Sequence, residues 1–273
     1  SVTMVAEDST GWAKMVSPYS KSVDPAGLGA TALSKARLSA NPKEIEPGSY
    51  EAILEPSAVL DLLGFILWDF AGTSHIDRRS CLLDMVGQKV FGDNITIYDD
   101  VYHRDQAGPT FDGEGMTRQA IPIIEGGVLK NLIYGRGSAS QVGLPPTGHG
   151  LSVPSNMGEY AMNPVLHGGK SSLPEMIAST EKGILLSRVW YVRDVDPARK
   201  ILTGMTRDGT FMIEHGEIAY GVKNLRFNIS LKDLLNNVIA LSPTERAAGE
   251  ETSPAVVPAM KVEGFKFTET TRF

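Results

Sequence analysis

The sequence predicts an α+β fold, in which a β-rich meander or barrel-like sheet carries a few packed helices. Short runs of alternating hydrophobicity recur through the second half of the chain, separated by glycine-containing turns. Two helices that open with proline precede them. The 273 residues, of which 42% are hydrophobic, are enough to bury a sizeable core in one large domain or two small ones.

The first predicted helix follows a polar and irregular N-terminal stretch. Asp24 is placed as its N-cap, and Pro25 takes the first helical position, where a missing N–H costs nothing. Apolar residues continue at helical spacing as far as Ala36, and Asn41-Pro42 ends the segment.

The second predicted helix is apolar on more than one face. After a short strand from Tyr50 to Leu54, it opens at Pro56, runs through Phe70 and is closed by Gly72. Because a helix that is apolar on several faces has no side suited to water, we expect it to be buried.

The middle of the chain combines short strands with a long polar loop. Asn94 to Tyr98 alternates and predicts a strand. The loop from Asp99 to Arg118 is rich in Gly, Asp and Pro, and loops of this length are usually functional or disordered. A hairpin follows, with strands from Ala120 to Ile124 and from Val128 to Tyr134 about a Glu125-Gly126-Gly127 turn.

The C-terminal half is predicted to be a meander. Ser172 caps a short helix through Thr180, and Ser230 caps another from Leu231 to Leu241. Its strands, with turns at Asp208-Gly209 and His215-Gly216, are Ile184–Val192, Ile201–Thr206, Thr210–Glu214, Glu217–Val222, Ala259–Val262 and Phe265–Thr268. We divide the chain into a connecting segment with one helix, residues 1–48, and a β-rich domain, residues 49–273.

Composition and charge argue against several classes of function. The formal net charge is -6 and the basic residues are scattered, which argues against a nucleic-acid partner. Asp61 and Asp69 interrupt the longest apolar stretch, which falls short of the ~20 residues that a membrane span needs. The N-terminus has neither the basic region nor the apolar core of a signal peptide.

The lone cysteine, Cys81, bears on both compartment and chemistry. One cysteine permits no intrachain disulfide, which fits a reducing compartment, so we predict a cytoplasmic location. The adjacent Leu82-Leu83 favours a core position for Cys81 over a nucleophile paired with His75.

The sequence shows no complete set of metal ligands. The five histidines are far apart, and none has the helical spacing of a zinc hydrolase. The acidic loop from Asp99 to Glu114, together with His103, offers several oxygens to a hard cation. A solvated acidic loop is the more usual result of such a charge run.

Short motifs occur in one order over nearly the whole chain. They are Ile45–Tyr50, Leu54–Pro56, Gly87–Phe91, Phe111–Gly115, Glu125–Leu129, Thr147–Gly150, Ile213–Ile218 and Val222–Asn224. In series they resemble the TldD/PmbA family, whose members were once called modulators of DNA gyrase. The family's N-terminal α/β domain has no counterpart here, so we expect the chain to correspond to the C-terminal part of a longer protein.

The resemblance implies a division of labour between two kinds of subunit. TldD-type subunits carry a His-Glu-x-x-x-His helix and a later cysteine that hold zinc. TldE-type (PmbA) subunits lack these ligands and pair with a TldD-type chain to act on unfolded peptides. Here the corresponding helix contains the apolar run Leu62–Leu67, and no cysteine follows Cys81. The chain therefore resembles a TldE-like subunit, a metallopeptidase-family member without zinc of its own, and zinc is expected on the TldD-like partner.

The family-like loops supply the candidate substrate-binding residues Asp112, Glu114, His149 and Arg207. Turn chemistry is the alternative role for all four, and Arg207 lies in a segment that departs from the turn of many TldE-like proteins. The predicted partners are a TldD-like subunit, or a second copy of this chain, and an unfolded peptide. Two other functions stay open: an autonomous metal-dependent hydrolase that uses residues 99–114, and a homodimeric binding module.

Overall fold

The computed structural model of the chain describes residues 1–250 and 252–271. The α-helices among them are Pro25–Leu38 (α1), Pro56–Leu63 (α2), Gly72–Ile76 (α3), Arg136–Val142 (α4), Leu173–Ala178 (α5) and Leu231–Asn236 (α6). The strands among them are Val2–Val5 (β1), Thr10–Ala13 (β2), Gly48–Leu54 (β3), Ile97–Asp99 (β4), Ile121–Glu125 (β5), Val128–Leu129 (β6), Pro164–Leu166 (β7), Lys182–Asp196 (β8), Ile201–Glu214 (β9), Glu217–Gly221 (β10), Leu225–Ser230 (β11), Val238–Leu241 (β12), Glu245–Ala247 (β13), Ala255–Val257 (β14) and Met260–Thr270 (β15).

Five strands close into a barrel. β8 pairs antiparallel with β9, β9 with β11, β11 with β15, and β15 with β3. β3 returns to β8 in parallel and completes the ring. β10 extends the sheet from β9, and β12 pairs with β15. The predicted α+β class with a barrel-like sheet is therefore confirmed.

A second sheet packs beside the barrel in the strand order β13-β14-β7-β4-β5-β6. One buried apolar cluster joins the two sheets, because residues of the barrel such as Leu54 and Phe265 share it with Ile97 and Ile124 of the second sheet. α2 contacts β8 as well as β13 and β14, so it lies between the sheets. Its buried leucines contribute roughly 2 kcal/mol each through lost contact with water.

Elements set by local capping agree closely with the sequence. The Asp24 side chain accepts a hydrogen bond from the Gly27 amide at 3.0 Å and starts α1. Ser172 and Glu175 form a reciprocal capping box at α5. Within residues 1–250 and 252–271, no helix is long and apolar enough to cross a membrane.

The second predicted helix is buried as expected, but it is shorter. It ends at Leu63, and Gly72 begins α3 instead of closing the helix. After Gly64 the backbone changes to tighter hydrogen bonds, such as the one from the Ile66 amide to the Leu63 carbonyl at 3.0 Å. The Lys200 ammonium then donates to the Phe65 carbonyl at 3.2 Å, which removes an acceptor that a continuing helix would use.

The predicted turn at Asp208-Gly209 is wrong, since β9 runs through it as one strand. Asp208 and Gly209 have φ values of 51° and 142°, so the strand kinks there without reversing. A Cβ on Gly209 would lie 2.5 Å from the Ser187 hydroxyl of β8, which explains the glycine. Asp208 is fixed by Arg188 at 2.8 Å and by the Thr10 hydroxyl at 2.6 Å.

The remaining differences concern the two ends of the chain and short strands. The N-terminal stretch, predicted to be irregular, forms the β1–β2 hairpin, whose Trp12 is buried. The helix predicted to reach Leu241 ends at Asn236 and gives way to β12. The two predicted tail strands are one strand, β15, with a bulge at Gly264. The sequence did not predict α4, β7, β11, β13 or β14. β4 begins later than expected, at Ile97, and β6 ends at Leu129 although a strand was predicted as far as Tyr134.

Candidate functional site

A groove runs between the open edge of β8 and the end of α2. β3 pairs with β8 only through residues 183–186, so residues 188–196 have a neighbouring strand on one side only, β9, within the part of the chain that the structure describes. The groove forms a cavity of about 500 Å³ beside that edge. An unpaired strand edge leaves backbone N–H and C=O groups free to pair with another strand.

The walls of this groove are largely aromatic. Phe65 and Trp68 come from the segment after α2, and Trp190 and Tyr191 come from β8. The Trp68 ring packs on Tyr160 with 4.2 Å between centroids. Burial, together with the charge of Asp99, raises the pKa of Tyr160 to about 12. These rings form an apolar surface with polar edges, which suits side chains that combine an apolar stem with a polar head.

Charged groups lie at the floor and rim of the groove. The buried Lys200 ammonium lies 2.7 Å from an Asp69 oxygen and 3.8 Å from an Asp194 oxygen. Glu250 at the rim pairs with Arg188 at 2.8 Å. Burial raises the pKa of Asp194 more than Lys200 lowers it. The buried Asp61 carboxylate also lines the groove.

The structure brings three of the four predicted site residues together, away from the groove lining. Asp112 accepts hydrogen bonds from the amides of Glu114, Met116 and Gly150, at 2.8 to 2.9 Å. The Glu114 carboxylate accepts the Arg136 amide at 2.7 Å. The Asp112 contacts join loop backbones, as turn chemistry does, and the Glu114 contact joins the loop to the first residue of α4.

His149 of the same cluster is fully buried. Its Nε2 lies 3.1 Å from an Asp99 oxygen and its Nδ1 lies 2.8 Å from the Thr147 hydroxyl. The second Asp99 oxygen accepts the Asn163 amide at 2.8 Å. Both ring nitrogens are therefore used within the fold.

Arg207, the fourth predicted residue, lies apart from this cluster and next to the groove. Its guanidinium lies 4.1 Å from the centroid of the Trp190 ring and 3.6 Å from Asp208. Arg207 lines a second cavity of about 1030 Å³, which shares Trp190 and Tyr191 with the groove. Of the four candidates, Arg207 is the one that lines either of these two cavities.

Sequence reasoning missed the most heavily hydrogen-bonded carboxylate of the region, Glu159. It is fully buried and accepts hydrogen bonds from the Thr73 amide at 2.6 Å, the Ser138 hydroxyl at 2.7 Å, the Gly135 amide at 3.1 Å and the Thr73 hydroxyl at 3.2 Å. It lies in a Gly- and Pro-rich stretch without periodicity, and its partners are distant in sequence, so no local signal marked it. The groove aromatics and Lys200 were missed for the same reason.

The residues present do not fit a zinc ion at α2. The polar side chains of α2 are those of Ser57 and Asp61, and the others are apolar. The Asp61 oxygens accept hydrogen bonds from the Glu250 amide at 2.7 Å and the Thr252 hydroxyl at 3.0 Å. Over residues 1–250 and 252–271, no three His, Cys, Asp or Glu side chains come together as a metal site. In the acidic loop, Asp99 and Asp112 are engaged by the internal contacts described above.

Cys81 is buried in the core, as the sequence predicts. Burial, with the charge of Asp69, raises the pKa of its thiol to about 12. At pH 8 the thiolate fraction is then on the order of one in ten thousand. We expect iodoacetamide to label the native chain far more slowly than the chain in urea. Equal rates in the two states would contradict the buried, protonated thiol.

Comparison with known proteins places these features in a family context. Residues 47–269 match the family model described as the PmbA/TldA metallopeptidase C-terminal domain. The metalloprotease PmbA homologue of Haemophilus influenzae is 25% identical over 250 residues, which make up 90% of this chain and 53% of that protein. A metalloprotease of Methanothermobacter thermautotrophicus is 29% identical over 197 residues, 70% of this chain and 42% of the relative. The chain spans about half the length of the curated relatives it matches.

Solved structures share the fold. The crystal structure of TldE from Thermococcus kodakarensis superposes with a TM-score of 0.80 at 22% identity, covering 89% of this chain and 55% of that one. A candidate modulator of a DNA gyrase from Thermotoga maritima superposes with a TM-score of 0.82 at 21% identity, covering 95% of this chain and 57% of that one. At these identities the likeness concerns the fold.

Proposed function

Because the chain belongs to the PmbA/TldD family of metallopeptidases, we propose that it is the subunit without metal ligands, which resembles TldE and pairs with a zinc-bearing TldD-type subunit. Its role is to hold an unfolded peptide for the partner's active site. The observation that supports this proposal is the chemistry of α2, the helix at which the zinc ligands of a TldD-type subunit are expected.

The side chains of α2 support a packing role. Residues 57–63 are buried, and Leu60, Leu62 and Leu63 belong to the main apolar cluster. Zinc in proteins is held by Cys, His, Asp or Glu side chains. Asp61 is the one such residue on α2, and its oxygens hold the backbone of residue 250 and the hydroxyl of Thr252.

The groove beside α2 supports a peptide ligand. An extended peptide adds to an open sheet edge through its main-chain N–H and C=O groups, whatever its sequence. Residues 188–196 of β8 offer such an edge, and the groove next to it is lined by rings that shield an added strand from water. Unfolded substrates are suited to this mode of binding, because their backbone groups are not yet paired.

In such an assembly, a zinc ion held by the partner's own ligands would supply Lewis-acid chemistry for peptide hydrolysis. This chain's own residues act on the substrate's position. The β8 edge fixes the direction and register of the peptide, and the aromatic walls exclude water from it. Holding a substrate in the reactive geometry is itself a large part of catalysis.

The test is co-expression of the chain with a TldD-type chain, followed by size-exclusion chromatography and hydrolysis of unfolded casein. We expect the two chains to co-elute, and we expect cleavage only when both are present. Replacing the Glu of the partner's His-Glu-x-x-x-His helix is the control, and it should abolish cleavage without preventing co-elution.

Elemental analysis of the chain alone separates the alternatives. Stoichiometric metal that is lost on Asp105→Ala or Asp112→Ala, together with cleavage by the chain alone, would instead establish an autonomous hydrolase. If the chain is a metal-free homodimer that never associates with a TldD-type chain, the result would support the alternative function as a homodimeric binding module. Either result would overturn the proposed subunit role.

A further inference from the structure

The groove beside β8 has room for a long side chain. In an added strand, alternate side chains project to opposite faces of the sheet, so every second residue of a peptide on the β8 edge is directed to the same side. The cavity has a volume of about 500 Å³, which lies within the size range of pockets for small molecules. It is therefore larger than any single amino-acid side chain. The groove can therefore select among large side chains.

The aromatic walls favour a cation. A guanidinium or ammonium over the face of Trp or Tyr is attracted by the ring electrons. The same region already shows this preference, because Arg207 lies over the Trp190 ring at 4.1 Å and Arg188 lies over the Trp12 ring at 4.9 Å. Trp68 and Tyr160, packed on each other, also line the groove.

The charges around the groove also favour a cation. The lining contains three carboxylates, Asp61, Asp194 and Glu250, and one ammonium, Lys200. Lys200 is held towards the helix side, since it pairs with Asp69 at 2.7 Å and donates to the Phe65 carbonyl. Because Glu250 is paired with Arg188 at 2.8 Å, Asp194 is the lining carboxylate with the longer ion pair, 3.8 Å to Lys200. A basic side chain would add a cation beside Asp194, whereas an acidic one would be repelled by it.

We propose that this groove binds an arginine or lysine side chain of the extended peptide, and so gives the subunit a preference for basic sequences. The inference rests on the proposed function, because it needs a peptide on the β8 edge. The apolar stem of the side chain packs against Trp68 and Trp190, and its charged head lies at the rim near Asp194 and Glu250.

The test is fluorescence anisotropy with labelled twelve-residue peptides added to the purified chain. All have one Ser-Thr background and differ at a central position, which is Arg, Lys, citrulline, norleucine or Glu. The background has no other large side chain, so the central residue sets the register. We expect the Arg and Lys peptides to bind roughly tenfold more tightly than the citrulline and norleucine peptides. The Glu peptide should bind most weakly.

Variants of the chain assign the effect to the groove. Asp194→Asn should weaken binding of the Arg peptide about threefold and leave the norleucine peptide unchanged, because it removes a rim charge. Trp68→Leu should weaken the Arg peptide about fivefold. Glu217 is an exposed acidic residue on β10, so Glu217→Gln removes one charge away from the groove and should change the binding of neither peptide. Circular dichroism confirms that each variant is folded.

Equal or tighter binding of the norleucine peptide would overturn the basic preference and leave peptide binding itself intact. Binding of the Arg peptide that is unaffected by Asp194→Asn and Trp68→Leu alike would place the site elsewhere and also overturn the inference. If no peptide binds, the proposed peptide-holding function fails together with the selectivity.

Discussion

Replacing Glu159 by alanine is expected to lower the free energy of unfolding by about 3–5 kcal/mol. The change removes the carboxylate acceptor of four donors: the half-buried Thr73 amide and hydroxyl, the Gly135 amide, and the Ser138 hydroxyl, which keeps only a 3.4 Å contact to the Gly135 carbonyl. These groups belong to α3 and to the start of α4, so one carboxylate ties the two helices together. Urea unfolding followed by fluorescence measures the loss.

Glu159→Gln refines this prediction. Its amide keeps one oxygen acceptor, but its NH₂ group faces N–H and O–H groups that also donate, so we expect a loss only somewhat smaller than that of the alanine variant. Glu217→Gln is the matched control, since that side chain is exposed, and it should change stability by less than about 0.5 kcal/mol. A Glu159→Ala variant as stable as this control would show that the buried network does not hold α3 and α4.

Replacing Lys200 by methionine is expected to cost about 3–4 kcal/mol, because it leaves the buried Asp69 carboxylate without its cation. The 2.7 Å contact is an ion pair without the geometry of a directed hydrogen bond. Asp69 also accepts the Cys81 amide at 2.7 Å, so the same carboxylate fixes the segment that follows α3.

The double variant Lys200→Met with Asp69→Asn tests the cause. Removing both charges leaves neither one uncompensated, so the double variant should be more stable than Lys200→Met alone. The coupling energy from the four unfolding curves of this cycle measures the interaction. Strictly additive losses would show that the cost comes from lost packing and not from the charge of Asp69.

The elements that the sequence predicts well are those whose causes lie within a few residues. Asp24 and Ser172 begin their helices because each accepts an amide three residues along the chain. The Asp208-Gly209 pair shows the opposite case. It has the residues of a hairpin turn, yet β9 passes through it because the strand is held between β8 and its neighbours β10 and β11. That information lies in distant segments.

The residues of the candidate site also differ in whether local sequence is enough to identify them. The motif residues Asp112, Glu114 and His149 could be found because they belong to the short motifs that resemble the family. The structure places them close together, with Asp112 and His149 buried and Glu114 half-buried. Whether they also touch a substrate stays a prediction. The groove could not be found in advance, because its walls come from segments as far apart as Phe65 and Trp190. The family assignment is confirmed by the match over residues 47–269.

The closure of the barrel has a consequence for biosynthesis. β3 is made before both of its neighbours in the ring, β8 and β15, and its pairing with β15 joins Leu54 to Met260. A nascent polypeptide on the ribosome therefore cannot complete the ring until β15 has emerged, and until then the hydrogen-bonding edge of β3 that faces β15 is unpaired. Contacts of such long sequence separation fold slowly. The exposed edge in the unfinished chain is thus a natural target for chaperones that shield unpaired strands.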